Sequence, residues 1–390
     1  MTHLRTGEQA PWFFAPSPTN PNFNFSTVAG RYLLMGFPPL DRAERTAVFD
    51  TVGRNMDLLS DANIACFLVI RDPEDYAKAR NRDGMRFFAD FEGKLAQLYG
   101  ARTADGAEQP GWVVIDPSQR VLFTAPASQT AQVFEQLRAL PPADGHAGVP
   151  MHAPVMIVPR VLDPDLCRRL IAHYHDQGGR PSGVMREENG RTVGVLDDFK
   201  RRRDANIEDE GLRTEMRLSI VKRLIPEIRK AYRFQVTRIE RYIVACYDAD
   251  EGGYFRPHRD NRTSGTEHRQ FACSINLNAE AFEGGDLRFP EYGMRTYRPP
   301  TGGAVIFSCS LLHEATPVTR GTRYATLPFF FDEAGEALRL KNLHLTDFAP
   351  RIADGAPADA AATREAALEA QARREAAEAP PAQEGAPFEA

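Results

Sequence analysis

The sequence predicts two folded domains, an α/β domain followed by a domain of many short strands, and then a tail rich in Ala, Glu and Pro. In residues 1–145, apolar strand-like runs alternate with segments that carry apolar residues at helical spacing. From Ile239 onward, short apolar runs follow one another between turns rich in Gly, Pro and Asp. The last 40 residues, 351–390, contain 16 Ala, six Glu and four Pro. We therefore expect a mixed α/β and α+β architecture with a tail.

Composition and charge exclude several classes of protein. Of the 390 residues, 42% are hydrophobic and 26% are charged, as in ordinary globular proteins. The net charge of −5 gives no attraction to nucleic acid or to an anionic membrane, so we expect neither as a partner. No apolar run approaches the ~20 residues that span a bilayer, and the first residues lack an apolar segment after a basic start. We therefore expect neither a membrane span nor a signal peptide.

The cysteines indicate a reducing compartment. All five are scattered along the chain, with no CxxC pair: Cys66, Cys167, Cys246, Cys273 and Cys309. This pattern fits reduced thiols better than a disulfide framework. We expect a cytoplasmic protein.

The first domain is predicted over 1–145. The strand-like runs are RYLLMGF (31–37), IACFLVI (64–70), GWVVIDP (111–117) and RVLFTA (120–125). Between them, residues 41–60 and 85–99 have helical spacing, which predicts helices packed on a partly parallel sheet. A segment rich in Pro and Gly, 139–150, is typical of a linker.

The second domain is predicted over 151–345, with helices first and strands afterwards. A helix should begin after Asp163, with Pro164 in its first turn, and end at Gly178. A second long helical pattern covers 210–232, where Pro226 predicts a break. The strand-like runs that follow lie in a core over 238–332 and suggest a β-sandwich or jelly roll.

The tail, 351–390, has few large apolar side chains. They are Ile352, Leu368 and Phe388. Such a segment cannot bury enough surface to offset the entropy lost on ordering. We expect a disordered tail in which residues 360–379 form a fraying helix.

One pattern of residue types indicates a metal site. His258 and Asp260 are two positions apart, so on a strand both side chains would point to one face. His313 follows after several strand-like runs, which can bring it back to the same place. Two histidines and one carboxylate on one face of an octahedron are typical of non-haem Fe(II) oxygenases. Three positions then stay open for a chelating cosubstrate and O₂.

Arg323 adds a second feature of this chemistry. It lies ten residues after His313, and a turn at Gly321 would place its guanidinium beside the metal face. A guanidinium binds a carboxylate through two parallel hydrogen bonds. A dicarboxylic keto acid has one end that chelates iron and another that can meet this arginine.

Five ordered motifs between about residues 238 and 331 resemble the 2-oxoglutarate- and Fe(II)-dependent dioxygenases. The branch they resemble is prolyl 4-hydroxylase-like and includes the PKHD-type hydroxylases. The motifs are Tyr247 ahead of GGYFRPHRD, then FACSINLN, EGGDLRFPEYG, TGGAVIFS and LHEATPVTRGTR. The resemblance implies a double-stranded β-helix, a form of jelly roll.

The resemblance also implies the site and its cofactors. His258, Asp260 and His313 would be the iron ligands and catalytic centre, Arg323 would hold 2-oxoglutarate, and Tyr247 would hydrogen-bond to it. O₂ would be the oxidant, and the family often needs ascorbate. The carboxylate at Asp260, where related halogenases have Gly or Ala, favours hydroxylation.

The activity implied is hydroxylation of an aliphatic C–H bond with release of succinate and CO₂. A prolyl, amino-acid-like or peptide substrate is expected, either as a small molecule or within a protein. A non-catalytic scaffold with an inactive jelly roll is one alternative, and a thiol peroxidase is another.

The N-terminal region resembles the peroxiredoxin branch of the thioredoxin fold. The matching motifs are GEQAPWFFAP, GRYLLMGF, YGA (99–101) and WVVIDPSQRVLF. After the strand that ends at Phe37, that family places a nucleophilic Cys, whereas this chain has PPLDRAERT and no Cys between Thr2 and Ala65. We therefore expect a redox-inactive module that serves protein docking, substrate recruitment or stability.

The basic run KRRR (200–203) allows two interpretations. Because Asp197, Asp198 and Asp204 flank it, we expect a solvated loop. The alternative is a lip over the active site that contacts an acidic or peptide substrate.

Overall fold

The computed structural model describes residues 4–352, whose contacts divide them into two units. The first unit contains 4–153 and 289–295, and the second contains 154–288 and 296–352. Within this described part, no helix has the length and apolar character needed to cross a bilayer. The first two residues of the predicted tail belong to the strand Thr346–Ile352. The rest of the predicted tail lies outside the described residues.

The first unit is built on a five-stranded mixed sheet. Its strands and helices are β1 (Phe14–Ser17), β2 (Asn20–Asn24), β3 (Tyr32–Phe37), α1 (Arg42–Arg54), β4 (Ile64–Ile70), α2 (Pro73–Lys78), β5 (Met85–Ala89), α3 (Lys94–Leu98), β6 (Gly111–Ile115), β7 (Val121–Pro126) and α4 (Thr130–Arg138). The order in the sheet is β5-β4-β3-β6-β7, and β1 pairs with β2 separately. The three strands β3, β4 and β5 are parallel, whereas β6 and β7 are antiparallel.

Both faces of this sheet are covered, which explains the continuous apolar runs of its central strands. Leu34 on β3 packs with residues of α1 and α4, such as Val48 and Phe134. Leu33, its neighbour, packs on the other face with Leu95 of α3 and the N-terminal hairpin. The sheet order and its two helical layers form a thioredoxin-like α/β fold.

The predicted helix over 85–99 is wrong in its first half. Residues Met85–Ala89 form the edge strand β5, and only Lys94–Leu98 are helical. Gly93 precedes the helix with a φ of 76°, a conformation that favours glycine. Phe88 of the strand and Leu95 of the helix are buried in the same core, so the apolar spacing reflects a strand and a short helix that share it.

The second unit begins with helices, as the sequence predicts. Its helices are α5 (Pro164–Gln177), α6 (Glu210–Arg223), α7 (Ile225–Tyr232) and α8 (Glu333–Asn342). The Asp163 carboxylate accepts the backbone N–H of Leu166, and α5 ends at Gly178 with a φ of 71°. The predicted break at Pro226 occurs between α6 and α7, with Pro226 in the first turn of α7.

The strands of the second unit are short and numerous. They are β8 (Met156–Val158), β9 (Arg180–Pro181), β10 (Val184–Glu188), β11 (Arg191–Leu196), β12 (Lys200–Arg201), β13 (Arg203–Asn206), β14 (Arg238–Glu240), β15 (Ile243–Asp248), β16 (Tyr254–His258), β17 (Phe271–Asn276), β18 (Phe282–Gly284), β19 (Leu287–Arg288), β20 (Thr296–Tyr297), β21 (Ala304–Ser308), β22 (His313–Ala315), β23 (Val318–Thr326), β24 (Phe329–Phe331) and β25 (Thr346–Ile352). A ten-stranded sheet contains the path β14-β24-β17-β23-β15-β13-β9, and a five-stranded sheet has the order β12-β16-β22-β19-β20. A third sheet joins β10, β11 and β25.

Strand β15 shows how the jelly roll is arranged. Val244 and Cys246 face outward and pack with apolar residues of α5, α6 and α7. Ala245 and Tyr247 face inward and pack with Ala315 of the five-stranded sheet. The two sheets therefore enclose an interior, and alternate residues of one strand serve either side.

All five cysteine thiols should be unreactive in the folded protein. Each cysteine is buried, and burial raises the pKa of the Cys66 and Cys273 thiols, so the reactive thiolate is scarce. A colorimetric thiol reagent at pH 8 should titrate less than about one thiol per native chain within minutes and all five after unfolding in denaturant. A native thiol that reacts at once would contradict this prediction.

Candidate metal centre

Antiparallel pairing of two strands brings the two predicted histidines face to face. His258 ends β16, His313 begins β22, and the two residues are paired in register. Their ring centroids are 4.3 Å apart. Asp260 completes the group: its oxygens lie 3.6 Å from Nε2 of His258 and 3.3 Å from Nε2 of His313. One ligand atom from each of the three residues lies within 4.8 Å of the others.

The backbone fixes which imidazole nitrogen is available. Nδ1 of His258 lies 2.8 Å from the carbonyl oxygen of Arg256, and Nδ1 of His313 lies 3.0 Å from that of Leu311. A carbonyl only accepts, so each Nδ1 carries the proton and donates it. Each Nε2 then faces Asp260 with its lone pair. This arrangement is typical of metal-binding histidines.

Asp260 reaches the histidines from a turn and not from the strand. β16 ends at His258, and Asp260 lies two residues beyond it. The backbone N–H of Asp260 donates to the carbonyl oxygen of Cys309 at 3.0 Å, which holds this turn against the chain just before β22. The expectation that one strand presents both residues is therefore wrong, although the two side chains do converge.

The ionisation of these groups suits a divalent cation. Burial, and then the neighbouring His313, lowers the pKa of His258 to about 4. Burial acts to raise the pKa of Asp260, but His313 and His258 hold it well below its usual value. At neutral pH the site therefore contains a neutral His258 and an ionised carboxylate, the forms that bind metal.

Arg323 points into the same interior from the opposite sheet. It lies within β23, and its guanidinium donates to Asn276 Oδ1 at 3.3 Å and to Ser274 Oγ at 2.8 Å. Only 2% of the residue is exposed, and among the described residues no carboxylate pairs with it. The predicted turn at Gly321 is wrong, because Gly321 lies inside β23 with a φ of 72°. Arg323 is thus a buried cation whose partners are all neutral.

Tyr247 lies beside Arg323, directly opposite it in the pairing of β15 with β23. The Tyr247 hydroxyl oxygen accepts a hydrogen bond from Nη1 of Arg202 at 3.3 Å, since a guanidinium can only donate. The hydroxyl proton has no acceptor among the described residues. A buried hydroxyl donor and a buried guanidinium therefore meet at one place, which suits an anion.

The basic run KRRR is not the solvated loop that we expected. Lys200, Arg202 and Asp204 are turned inward, with Lys200 and Arg202 buried. Arg201 faces outward and pairs with Asp198, and Arg203 donates to the carbonyl oxygen of Gly179. Inward and outward residues alternate along β12 and β13, as in any strand. This alternation of side chains every two residues is the signal in the sequence that would have predicted buried positions within KRRR.

The comparisons with known proteins concern mainly the second unit. Residues 242–331 match the family model of the 2OG-Fe(II) oxygenase superfamily. A PKHD-type hydroxylase of Synechococcus sp. (strain JA-3-3Ab) is 30% identical over 95 residues, which are 23% of this chain and 42% of that protein. The chain spans 42% of the length of three PKHD-type hydroxylases and 25% of a multifunctional procollagen lysine hydroxylase and glycosyltransferase of Rattus norvegicus. The C-terminal region of the chain therefore contains a 2OG-Fe(II) oxygenase domain.

Two solved structures are similar to one part of the chain each. A prolyl hydroxylase of Trichoplax adhaerens, in complex with a hypoxia-inducible factor peptide, is 20% identical with a TM-score of 0.39 and covers 54% of this chain and 96% of its own. The AhpC of Mycobacterium tuberculosis is 18% identical with a TM-score of 0.28 and covers 35% of this chain and 93% of its own.

The metal-free protein should lose stability as the pH falls from about 6.5 toward 4. An unfolded histidine takes up a proton near pH 6.5, whereas the pKa of His258 in the folded chain is about 4. In this window the unfolded chain binds more protons, so acidification costs up to about 1.4 kcal/mol per pH unit. The free energy of urea unfolding of the second unit is measured at pH 7, 6 and 5. It should fall less steeply with pH in His258→Gln than in the natural protein. Equal pH dependence of the two proteins would contradict this prediction.

Proposed function

We propose that this protein is an Fe(II)- and 2-oxoglutarate-dependent dioxygenase. It would hydroxylate an aliphatic C–H bond of a prolyl, amino-acid-like or peptide substrate and release succinate and CO₂. One observation carries the proposal: His258, Asp260 and His313 converge in the same interior that buries Arg323 without a carboxylate. A metal-binding group and an anion-binding group that face the same interior match the two ends of a keto diacid.

The three ligand residues fit Fe(II) by their chemistry. Two imidazole nitrogens and one carboxylate suit this ion and leave coordination positions for a chelating cosubstrate and O₂. When bound, Fe(II) would supply the redox chemistry by which O₂ oxidises 2-oxoglutarate and oxygen is transferred to the substrate. The chain holds both Nε2 atoms toward Asp260 through the carbonyl oxygens behind them.

The chain also has groups for the cosubstrate. Arg323 would bind the distal carboxylate of 2-oxoglutarate through two N–H groups, and the Tyr247 hydroxyl would donate its free proton to the same carboxylate. Burial would exclude water from these contacts, which strengthens them. The ring centroid of Phe255 lies 3.4 Å from that of His258, and the ring centroid of Phe307 lies 4.6 Å from that of His313. The two phenylalanine rings would shield the ligands from water.

The alternative functions have weaker support. An inactive scaffold would not need a buried cation and a buried hydroxyl donor that both lack an anionic partner. A thiol peroxidase would need a reactive thiol, whereas the Cys66 thiol is fully buried. A cytoplasmic location, docking through the first unit and dependence on ascorbate stay predictions.

Replacement of His313 by Ala should abolish Fe(II)-dependent release of succinate from 2-oxoglutarate. The loss should exceed about 100-fold, because even residues behind a metal ligand are worth 10- to 100-fold. Succinate is measured with ascorbate present, and anaerobic Fe(II) with 2-oxoglutarate should give a weak metal-to-ligand absorption band in the natural protein alone. His344→Ala, at an exposed histidine, is the control. Natural turnover in His313→Ala would reject the ligand assignment.

Replacement of Arg323 by Met should raise the concentration of 2-oxoglutarate needed for half-maximal succinate release. Loss of a charged hydrogen-bonding group is worth about 1.5–3 kcal/mol, which corresponds to roughly 10- to 100-fold. Arg323→Lys keeps the charge and should lose less. Arg320→Met is the matched control, since Arg320 lies on the same strand, is exposed and pairs with Glu283. An equal effect of Arg320→Met and Arg323→Met would contradict the role of Arg323.

A further inference from the structure

Lys200 lies on the inner face of the five-stranded sheet, one strand away from His258. It pairs directly with Phe255 on β16, and Phe255 pairs with Ala315 on β22. Residues directly opposite on neighbouring strands point to the same face. The Lys200 ammonium lies 5.0 Å from the centre of the Phe255 ring, which stacks on His258. Lys200 therefore borders the metal-binding residues on the side of this sheet.

Two of the three cations in this region contact its carboxylate, Asp204, and the third, Lys200, does not. Asp204 receives two hydrogen bonds of 2.7 Å from Arg202 and one of 3.4 Å from Arg241. The Lys200 ammonium donates only to neutral groups, Ser182 Oγ at 2.7 Å and the carbonyl oxygen of Gly183 at 2.8 Å. No carboxylate of the described residues pairs with Lys200, although only 5% of the residue is exposed. The cluster thus contains more positive than negative charge.

The pKa of Lys200 reflects the electrostatic cost of this arrangement. Burial, and then repulsion from Arg202, holds the pKa of Lys200 well below its usual range. The negative charge of Asp260 acts in the opposite direction. A metal ion on Asp260 would neutralise that charge, so a further anion next to Lys200 would become more favourable.

Arg241 has a strained backbone at the same place. Its φ is 75°, in the left-handed region that is uncommon for residues other than glycine. Such a conformation is energetically unfavourable for a residue with a side chain, and it often occurs at functional sites. The side chain of Arg241 is 24% exposed. Its guanidinium contacts Asp204 and lies 5.5 Å from the centre of the Phe329 ring. Most of its N–H donors are therefore available to a ligand.

We propose that the substrate of this site carries a carboxylate, which Lys200 and Arg241 bind beside the metal-binding residues. This inference rests on the proposed function and narrows its substrate class. It favours a free amino acid, or a peptide whose terminal or side-chain carboxylate lies close to the oxidised carbon. It disfavours a prolyl residue in the interior of an uncharged peptide.

The cosubstrate has a separate position. Arg323 and Tyr247 belong to the ten-stranded sheet, whereas Lys200 belongs to the five-stranded sheet that faces it. Arg202 lies between the two groups, since it donates both to the Tyr247 hydroxyl and to Asp204. The interior therefore offers one cationic group for the keto diacid and another for a second anion.

The test compares carboxylic acids with their amides. The natural protein is held without O₂ at saturating Fe(II) and 2-oxoglutarate, and the absorption band is titrated with each L-amino acid and with its carboxamide. At least one acid should perturb the band with an affinity about tenfold or more above that of its amide, as expected for a charged hydrogen bond in a buried site. Lys200→Met should reduce the ratio of the affinity for the acid to the affinity for its amide about tenfold. Lys200→Arg should retain most of this ratio.

Two further variants separate the alternatives. Arg201→Met removes the same charge one residue along, but from an exposed side chain on the outer face, and should leave the ratio unchanged. Arg241→Met should lower the ratio without removal of a fully buried side chain. The inference is overturned if no acid is preferred in the natural protein, or if Lys200→Met and Arg201→Met lower the ratio equally. Absence of the absorption band itself would count against the proposed function and, with it, against this inference.

Discussion

The register between β16 and β22 is the constraint on which the candidate centre depends. It places His258 directly opposite His313 and brings the turn that carries Asp260 against Cys309. The side-chain period of a strand is two, so a slip of one residue would turn one histidine to the outer face. Phe255 and Ala315 form a second pair between the same two strands and pack toward the interior, and the register shifts between this pair and the histidine pair. Apolar packing and this irregularity in β16 together position the polar site.

Buried positive charge is the second feature that shapes the interior. A jelly roll of this size could be filled with apolar side chains, yet Lys200, Arg202 and Arg323 are almost fully buried in it. Burial of a charge is costly unless a partner compensates it. Asp204 compensates Arg202, whereas Arg323 has only neutral partners. An interior that keeps such cations is suited to anionic ligands, and its stability should rise when they bind.

The interior of the first unit is apolar, in contrast to the charged interior of the second unit. Its sheet is buried on both faces, its core is apolar, and its one cysteine lies within that core. The helix α1 begins after Asp41, whose carboxylate accepts the backbone N–H of Glu44. The unit therefore has a thioredoxin-like fold whose single cysteine is buried.

Residue patterns alone predicted the element types wherever one periodicity dominated, as in the buried strands β3 and β4 and the capped helix α5. It also supplied the residue types of the candidate centre, because few patterns combine two histidines, a carboxylate and an arginine in this order. It failed where two elements share one core, as in residues 85–99, and where charge suggested solvent, as in KRRR. The folded chain was needed to show that Asp260 lies on a turn, that Arg323 faces the centre from the other sheet, and that Lys200 is buried. These outcomes depend on strand pairing between distant residues, and local periodicity contains no information about that pairing.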